Sequence, residues 1–230
     1  MTSRLLKSAI VTIPTIFLST NVFSAEEEKK ETSIEPIDFT TYRAIDTPVN
    51  YSYIALNLGK DDYDNFDPSV TTAGLRGQVL LNERYIFKMG YETSLLDKDN
   101  AGNDLSYQSS VFGMGIGLRQ AIFKTTDIEF DAHVLYNWRD NDQTNKSEQE
   151  LGYKVGAYIN QGIGDSFEGT LGVNYVSEYS QESFNFLLSG TQYITEYVGL
   201  GLDGKLSNRS SSTFTGDLLY VGVHLRLAFY

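Results

Sequence analysis

From Tyr51 to its end, the chain repeats a hydrophobic pattern of period two, ten times over. The last stretch, YVGVHLRLAFY, is the plainest. Val221, Val223, Leu225, Leu227 and Phe229 fall on one side, and Gly222, His224, Arg226, Ala228 and Tyr230 on the other. Successive side chains of a strand point to opposite faces, so this run reads as a strand with one apolar and one polar face. The same reading predicts strands near 50–58, 70–81, 84–96, 106–119, 126–139, 149–160, 167–178, 183–192 and 197–206. In 126–139, Ile128, Phe130, Ala132, Val134, Tyr136 and Trp138 alternate with Asp127, Glu129, Asp131, His133, Asn137 and Arg139. Leu135 is the one apolar residue on the polar side. No helical period competes.

Two architectures accept such strands: a soluble sandwich, whose apolar faces meet in a core, and a barrel that spans a membrane. Three features favour the barrel. The predicted strands run to about 10–14 residues, long for a soluble sheet and suited to a tilted span. Amphipathic rings gather at the two ends of the apolar faces. Tyr91, Tyr136, Trp138, Tyr153, Tyr175 and Phe184 lie towards the longer connections, and Tyr85, Phe167 and Phe229 towards the shorter ones. Rings of this kind prefer the membrane–water boundaries. Finally, the polar faces carry too many charges to stack on a second sheet, because burying an unpaired charge costs several kcal/mol.

On these residues the chain resembles the Gram-negative outer-membrane β-barrel proteins, across about 50–230. Members of that class commonly end in an alternating strand that closes on an aromatic residue and is read by the assembly machinery. Val221, Val223, Leu225, Leu227 and Phe229 match this signal, with Tyr230 one residue beyond. The resemblance implies an all-β, transmembrane, antiparallel up-and-down barrel of about ten strands. It also implies residence in the cell outer membrane, contact with outer-membrane lipids and lipopolysaccharide, and one copy closing its own barrel as a monomer.

The N-terminus fits that destination. Residues 1–24 read as a secretory signal peptide, with Arg4 and Lys7 ahead of an apolar stretch and Val22 and Ser24 before the cleavage point. Residues 25–48 are charged, contain Pro36 and Pro48, and predict a flexible acidic periplasmic tail, leaving 49–230 for the barrel. Removing 1–24 takes away two basic and no acidic residues, so the formal charge moves from −12 to −14. A chain this acidic argues against nucleic-acid binding. There is no cysteine, hence no disulfide, thiolate metal site or acylated cysteine.

Inside the predicted barrel, the polar faces bring together Arg76, Lys88, Glu92, Arg119, Glu129, Asp131, His133, Lys154, Asp203, Lys205, His224 and Arg226, along with Asp127 and Glu168. Ten strands stand near the size at which side chains fill the interior, and the inward glycines return some room. Two outcomes follow: a paired charge network in a closed, structural barrel, or a narrow passive channel for small ions and solutes.

Catalysis is not expected. Omptin proteases share the strand number but place carboxylates and histidine at the outer rim, whereas His133 and His224 lie mid-strand here. Outer-membrane lipases and lipid A deacylases use a lipid-facing histidine, and the outward faces carry none. The pattern implies no cofactor and no metal. Asp97, Asp99 and Gly102 begin like a calcium loop, but Ala101 stands where Asp or Asn is required and Gln108 where Glu is. The acidic connections KDDYDNFD at 60–67, DKDNAGND at 97–104 and DNDQ at 140–143 leave a second expectation, surface interaction or adhesion.

Overall fold

The computed structural model describes residues 49–63, 66–98, 104–141, 146–178, 181–211 and 215–229. The predicted signal peptide and tail lie outside the described residues. Ten strands follow in order: β1 (Tyr53–Tyr63), β2 (Phe66–Leu80), β3 (Tyr85–Lys98), β4 (Asp104–Phe123), β5 (Thr126–Asn141), β6 (Lys146–Ile163), β7 (Phe167–Glu178), β8 (Gln181–Tyr193), β9 (Val198–Ser211) and β10 (Thr215–Ala228). Each pairs antiparallel with its chain neighbours, and β10 pairs with β1 from Tyr53↔Ala228 to Tyr63↔Leu218. The C-terminal strand is thus pinned along its length, and neither edge remains open.

The wall is strongly sheared. One hydrogen-bonded row passes from Tyr53 through Gln78, Lys88, Gly115, His133, Lys154, Val176, Ser183 and Arg209 to Gly216. It starts at the end where β1 begins and β10 finishes, here called the base, and finishes near the opposite end, the crown. Rows that climb in this way are the mark of strands tilted against the barrel axis.

The apolar faces point outwards and the polar faces inwards. Leu56, Ile116, Phe130, Val134, Leu188 and Leu202 are all more than half exposed. On the same outer surface, towards the crown, Trp138 stacks on Tyr91 and lies tilted against Tyr136, and Tyr153 meets Tyr175. A neutral polar fringe follows. Tyr136 donates to Gln149 at 2.8 Å, and Ser110 donates to Thr93 at 3.0 Å. Apolar band, ring belt and polar fringe succeed one another as a bilayer boundary requires.

Two differences from the sequence reading, and one agreement with it, have physical causes. The strands are longer than predicted, up to 20 residues for β4 and 18 for β6. Near the crown both faces are polar, so hydropathy loses the period while the ladder continues. The connections expected to be long are therefore partly strand. Next, the chain does not enter the wall at Asn50. Val49, Asn50, Tyr51 and Ser52 are buried at the base, and Ser52 does not share the exposed face of Ile54. Finally, Leu135 occupies the lumen opposite Gly113, where a Cβ on the glycine would crowd its Cδ2. Gly115 and Gly117 likewise face His133 and Asp131. The inward glycines of GMGIG in β4 thus make room for the bulky row of β5.

The tight turns are side-chain capped. Asn82 Oδ1 accepts the N–H groups of Arg84 and Tyr85, both at 2.9 Å. Gly164, at φ 61°, supplies the left-handed residue between β6 and β7.

Candidate functional site

Of the fourteen residues expected in the lumen, eleven line one interior cavity and Arg119, Asp127 and His224 are buried; they sort into three levels.

The base is dry. Arg119 grips Asp127 through Nε at 2.9 Å and Nη2 at 3.2 Å. Arg226 holds Glu168 at 2.6 Å and lies 4.0 Å over the Tyr53 ring. Into this layer folds the segment ahead of β1. Its Asn50 N–H donates to Glu168 Oε1 at 2.5 Å, and the Tyr51 hydroxyl donates to Asp127 Oδ2 at 2.8 Å. Asn160 donates to the same hydroxyl at 3.3 Å, and the Arg119 guanidinium stands 5.2 Å from the Tyr51 ring centre. Val49 and Tyr51 pack with Leu80 and Ile86 in one apolar cluster. The segment is a stopper, made by the chain's own N-terminal approach.

Above it, two clusters line opposing walls. On one, Lys88 pairs with Glu129 and, at 2.9 Å, with Asp131, whose Oδ2 also meets His133 Nε2 at 3.0 Å. The Tyr158 ring lies against Gly156 and Gly172, with the Lys88 ammonium 5.0 Å from its centre. On the other wall, Asp203 accepts from Ser189 at 2.6 Å, meets His224 Nδ1 at 2.8 Å, and pairs with Arg76 at 3.3 Å. The Thr191 hydroxyl sits 2.9 Å from His224 Nε2. Hydroxyl, imidazole and carboxylate thus stand in the order used by hydrolases. Thr191 is only 1% exposed, however, so no substrate reaches its oxygen. The arrangement fixes the imidazole over Gly201, where a Cβ would overlap it.

The third level is open. A cavity of about 420 Å³ extends from Tyr51 at the base past Glu92, Lys154 and Lys205 to Glu178 and Arg209 near the crown. Arg76 keeps 36% of its side chain exposed and Glu92 is exposed, whereas Arg119 and Asp127 are at 2% and 0%. Exposure is thus low in the arginine–carboxylate layer of the base and higher at Arg76 and Glu92, while Asn137, Ser207 and Asn185, nearer the crown, are buried again.

Sequence reasoning missed the stopper, because a period-two pattern cannot tell the first turn of a wall strand from a segment folded inside. It also missed the lumenal tyrosines Tyr53, Tyr158, Tyr193 and Tyr220, since aromatics on amphipathic strands read as lipid-facing. Among the described residues, no group of three or more metal-ligating side chains converges. The acidic connection residues 64–65, 99–103 and 142–145 lie outside the described residues.

A closed antiparallel barrel, apolar and ring-belted outside and charged within, defines a transmembrane β-barrel of the outer-membrane type, and the outer membrane is its place. Beyond that class, no family model matches the chain, and no curated protein matches it. Among solved structures, it is similar to an outer-membrane channel from Pseudomonas putida F1, at 9% identity over 85% of this chain and 100% of that one, TM-score 0.46. It is also similar to Neisserial surface protein A, at 9% identity over 78% and 96%, TM-score 0.41. The KdgM porin gives 8% identity over 76% and 99%, TM-score 0.41. These likenesses carry no residue, ligand or partner over to this chain.

Proposed function

We propose that the protein is a narrow, non-catalytic outer-membrane channel for small ions and solutes, held closed at its base by Val49–Ser52. One observation carries this reading: the lumen keeps a cavity of about 420 Å³, and the floor of that cavity is the segment ahead of β1 rather than the wall itself. A purely structural barrel of this size would be filled by side chains of its own wall. The closure is also built to release. Asp127 and Glu168, which hold Tyr51 and Asn50, each keep an arginine at 2.9 and 2.6 Å. Withdrawal of the segment therefore leaves no bare carboxylate in the mouth, the costliest consequence such a movement could have.

Ion flux into proteoliposomes tests the reading. Wild-type protein is expected near the lipid background, and the double variant Asn50→Gly, Tyr51→Gly well above it. Flux at background for both, with barrels shown intact by the heat-shift of their gel mobility, would leave a structural barrel instead.

A further inference from the structure

The charged groups of the lumen divide into two sets. Arg76, Lys88, Arg119 and Arg226 each have a carboxylate at 3.3 Å or nearer. Among the described residues, Lys154 and Lys205 have no carboxylate, and Glu92 no cationic group, within ion-pair distance; Asp131, Glu129 and Glu92 act on Lys154 only from farther off. Lys205 lies 5.1 Å from the Tyr220 ring centre, and all three residues line the same cavity.

The register places these three at one height. The row from Lys205 runs through Leu187 and Gly172 to Tyr158, which lies four residues nearer the base than Lys154 on β6. The row from Glu92 runs through Val111 and Asn137 to Glu150, four residues nearer the crown than Lys154. Four residues along a tilted strand raise the chain by about 10 Å, and three strands along a row by about 9 Å. The two displacements cancel in both cases. Glu92, Lys154 and Lys205 therefore stand level on β3, β6 and β9, spaced at close to thirds of the circumference.

The geometry points to a solute-contacting waist in which Lys154, Lys205 and Glu92 select small anions carrying a carboxylate or phosphate group. Other charges at the mid-levels are locked in close ion pairs, whereas these three are held by no close ion pair and face whatever enters, with an excess of one positive among them. An ammonium in a confined lumen without a carboxylate partner gains from an entering anion what its paired neighbours already have. Glu92 sets the opposite polarity on the third side, which favours anions that also carry a hydrogen-bond donor. This inference rests on the channel reading and names its solute class.

Two measurements separate the two ideas. The first is the reversal potential of the Asn50→Gly, Tyr51→Gly protein in a salt gradient. Chloride is expected to be favoured over potassium by about threefold or more, falling to near parity in the added double variant Lys154→Gln, Lys205→Gln and rising in Glu92→Gln. The second is titration of the refolded wild-type barrel with inorganic phosphate and with succinate, followed by NMR. Saturable binding is expected, lost in the double lysine variant and kept in Lys154→Arg. A conducting channel with no anion preference, or with one that the lysine variants leave unchanged, overturns the waist and leaves the channel standing. No conductance, but binding that depends on both lysines, keeps the waist and removes the channel. Absence of both removes both. Phosphate binding without succinate binding, or the reverse, assigns the anion.

Discussion

The hydroxyl of Tyr51 donates to Asp127 Oδ2 at 2.8 Å, joining the segment ahead of the first strand to the start of the fifth. The same carboxylate is held by Arg119 from the other side. Tyr51→Phe keeps the ring in its apolar cluster and removes only this bond and the one from Asn160. The segment is then expected to lose about 1.5–3 kcal/mol of hold, the usual net worth of a hydrogen bond to a charged group. Single-channel recordings should show brief openings, rarer than in Tyr51→Gly. A trace identical to wild type would mean that the hydroxyl does not hold the segment.

Removing Lys88 should be far costlier than removing Arg76. Lys88→Ala leaves Glu129 with only the Asn160 amide and Asp131 with only His133 and Tyr158 in a nearly closed part of the lumen, and loss of one partner from a buried pair costs about 3–5 kcal/mol. Arg76 is 36% exposed, and Asp203 retains His224 and Ser189, so Arg76→Ala is expected to cost about 1 kcal/mol or less. Urea unfolding in lipid vesicles checks the order; equal losses would contradict it.

Gly201→Ala places a methyl group against His224 Nε2 and the carbonyl of Gly190. Both are fixed, one by Thr191 and Asp203 and the other by the wall. Overpacking of this kind costs about 1–3 kcal/mol. Gly204→Ala on the same strand points outwards, where a Cβ meets nothing nearer than 3.8 Å, and should be close to neutral. The pair is compared by the denaturant midpoint, and similar shifts in both would refute the account of the inward glycines.

Depth on the outer face should set the cost of a charge. Val134→Arg falls mid-band and is expected to cost about 2–4 kcal/mol, whereas Thr93→Arg, at the polar fringe, costs about 0–1. Unfolding of both variants in vesicles measures the difference, and a cost independent of depth would place the bilayer elsewhere.

The wall was legible because one physical rule writes it. Each wall residue in the apolar band must face either lipid or lumen, so Ile128 to Trp138 displays the barrel without any tertiary knowledge. Where that rule lapses, so does legibility. Beyond Tyr91 and Tyr136 the barrel leaves the band, neither face needs to be apolar, and the ends of β4 and β6 carry no period. Ser52 and Tyr51 continue the alternation of β1 by accident of sequence, although the segment is held inside by the bonds of Tyr51 to Asp127 and of Asn50 to Glu168, 76 and 118 residues distant. The inward charges were readable as a set. Which pairs form, and that Lys154 and Lys205 are left over, depends on the shear, which no local pattern reveals.

The most direct test is a scan of β5. The chain has no cysteine, so single cysteines at each position from Phe130 to Asn137 can carry a spin label in lipid vesicles without background. Oxygen, which concentrates in the acyl region, should broaden the signal at Phe130, Ala132, Val134 and Tyr136 and not at Asp131, His133, Leu135 and Asn137. Accessibility that fails to alternate, or outward positions reached by a water-soluble relaxant instead, would contradict the assignment of lipid to one face and enclosed lumen to the other.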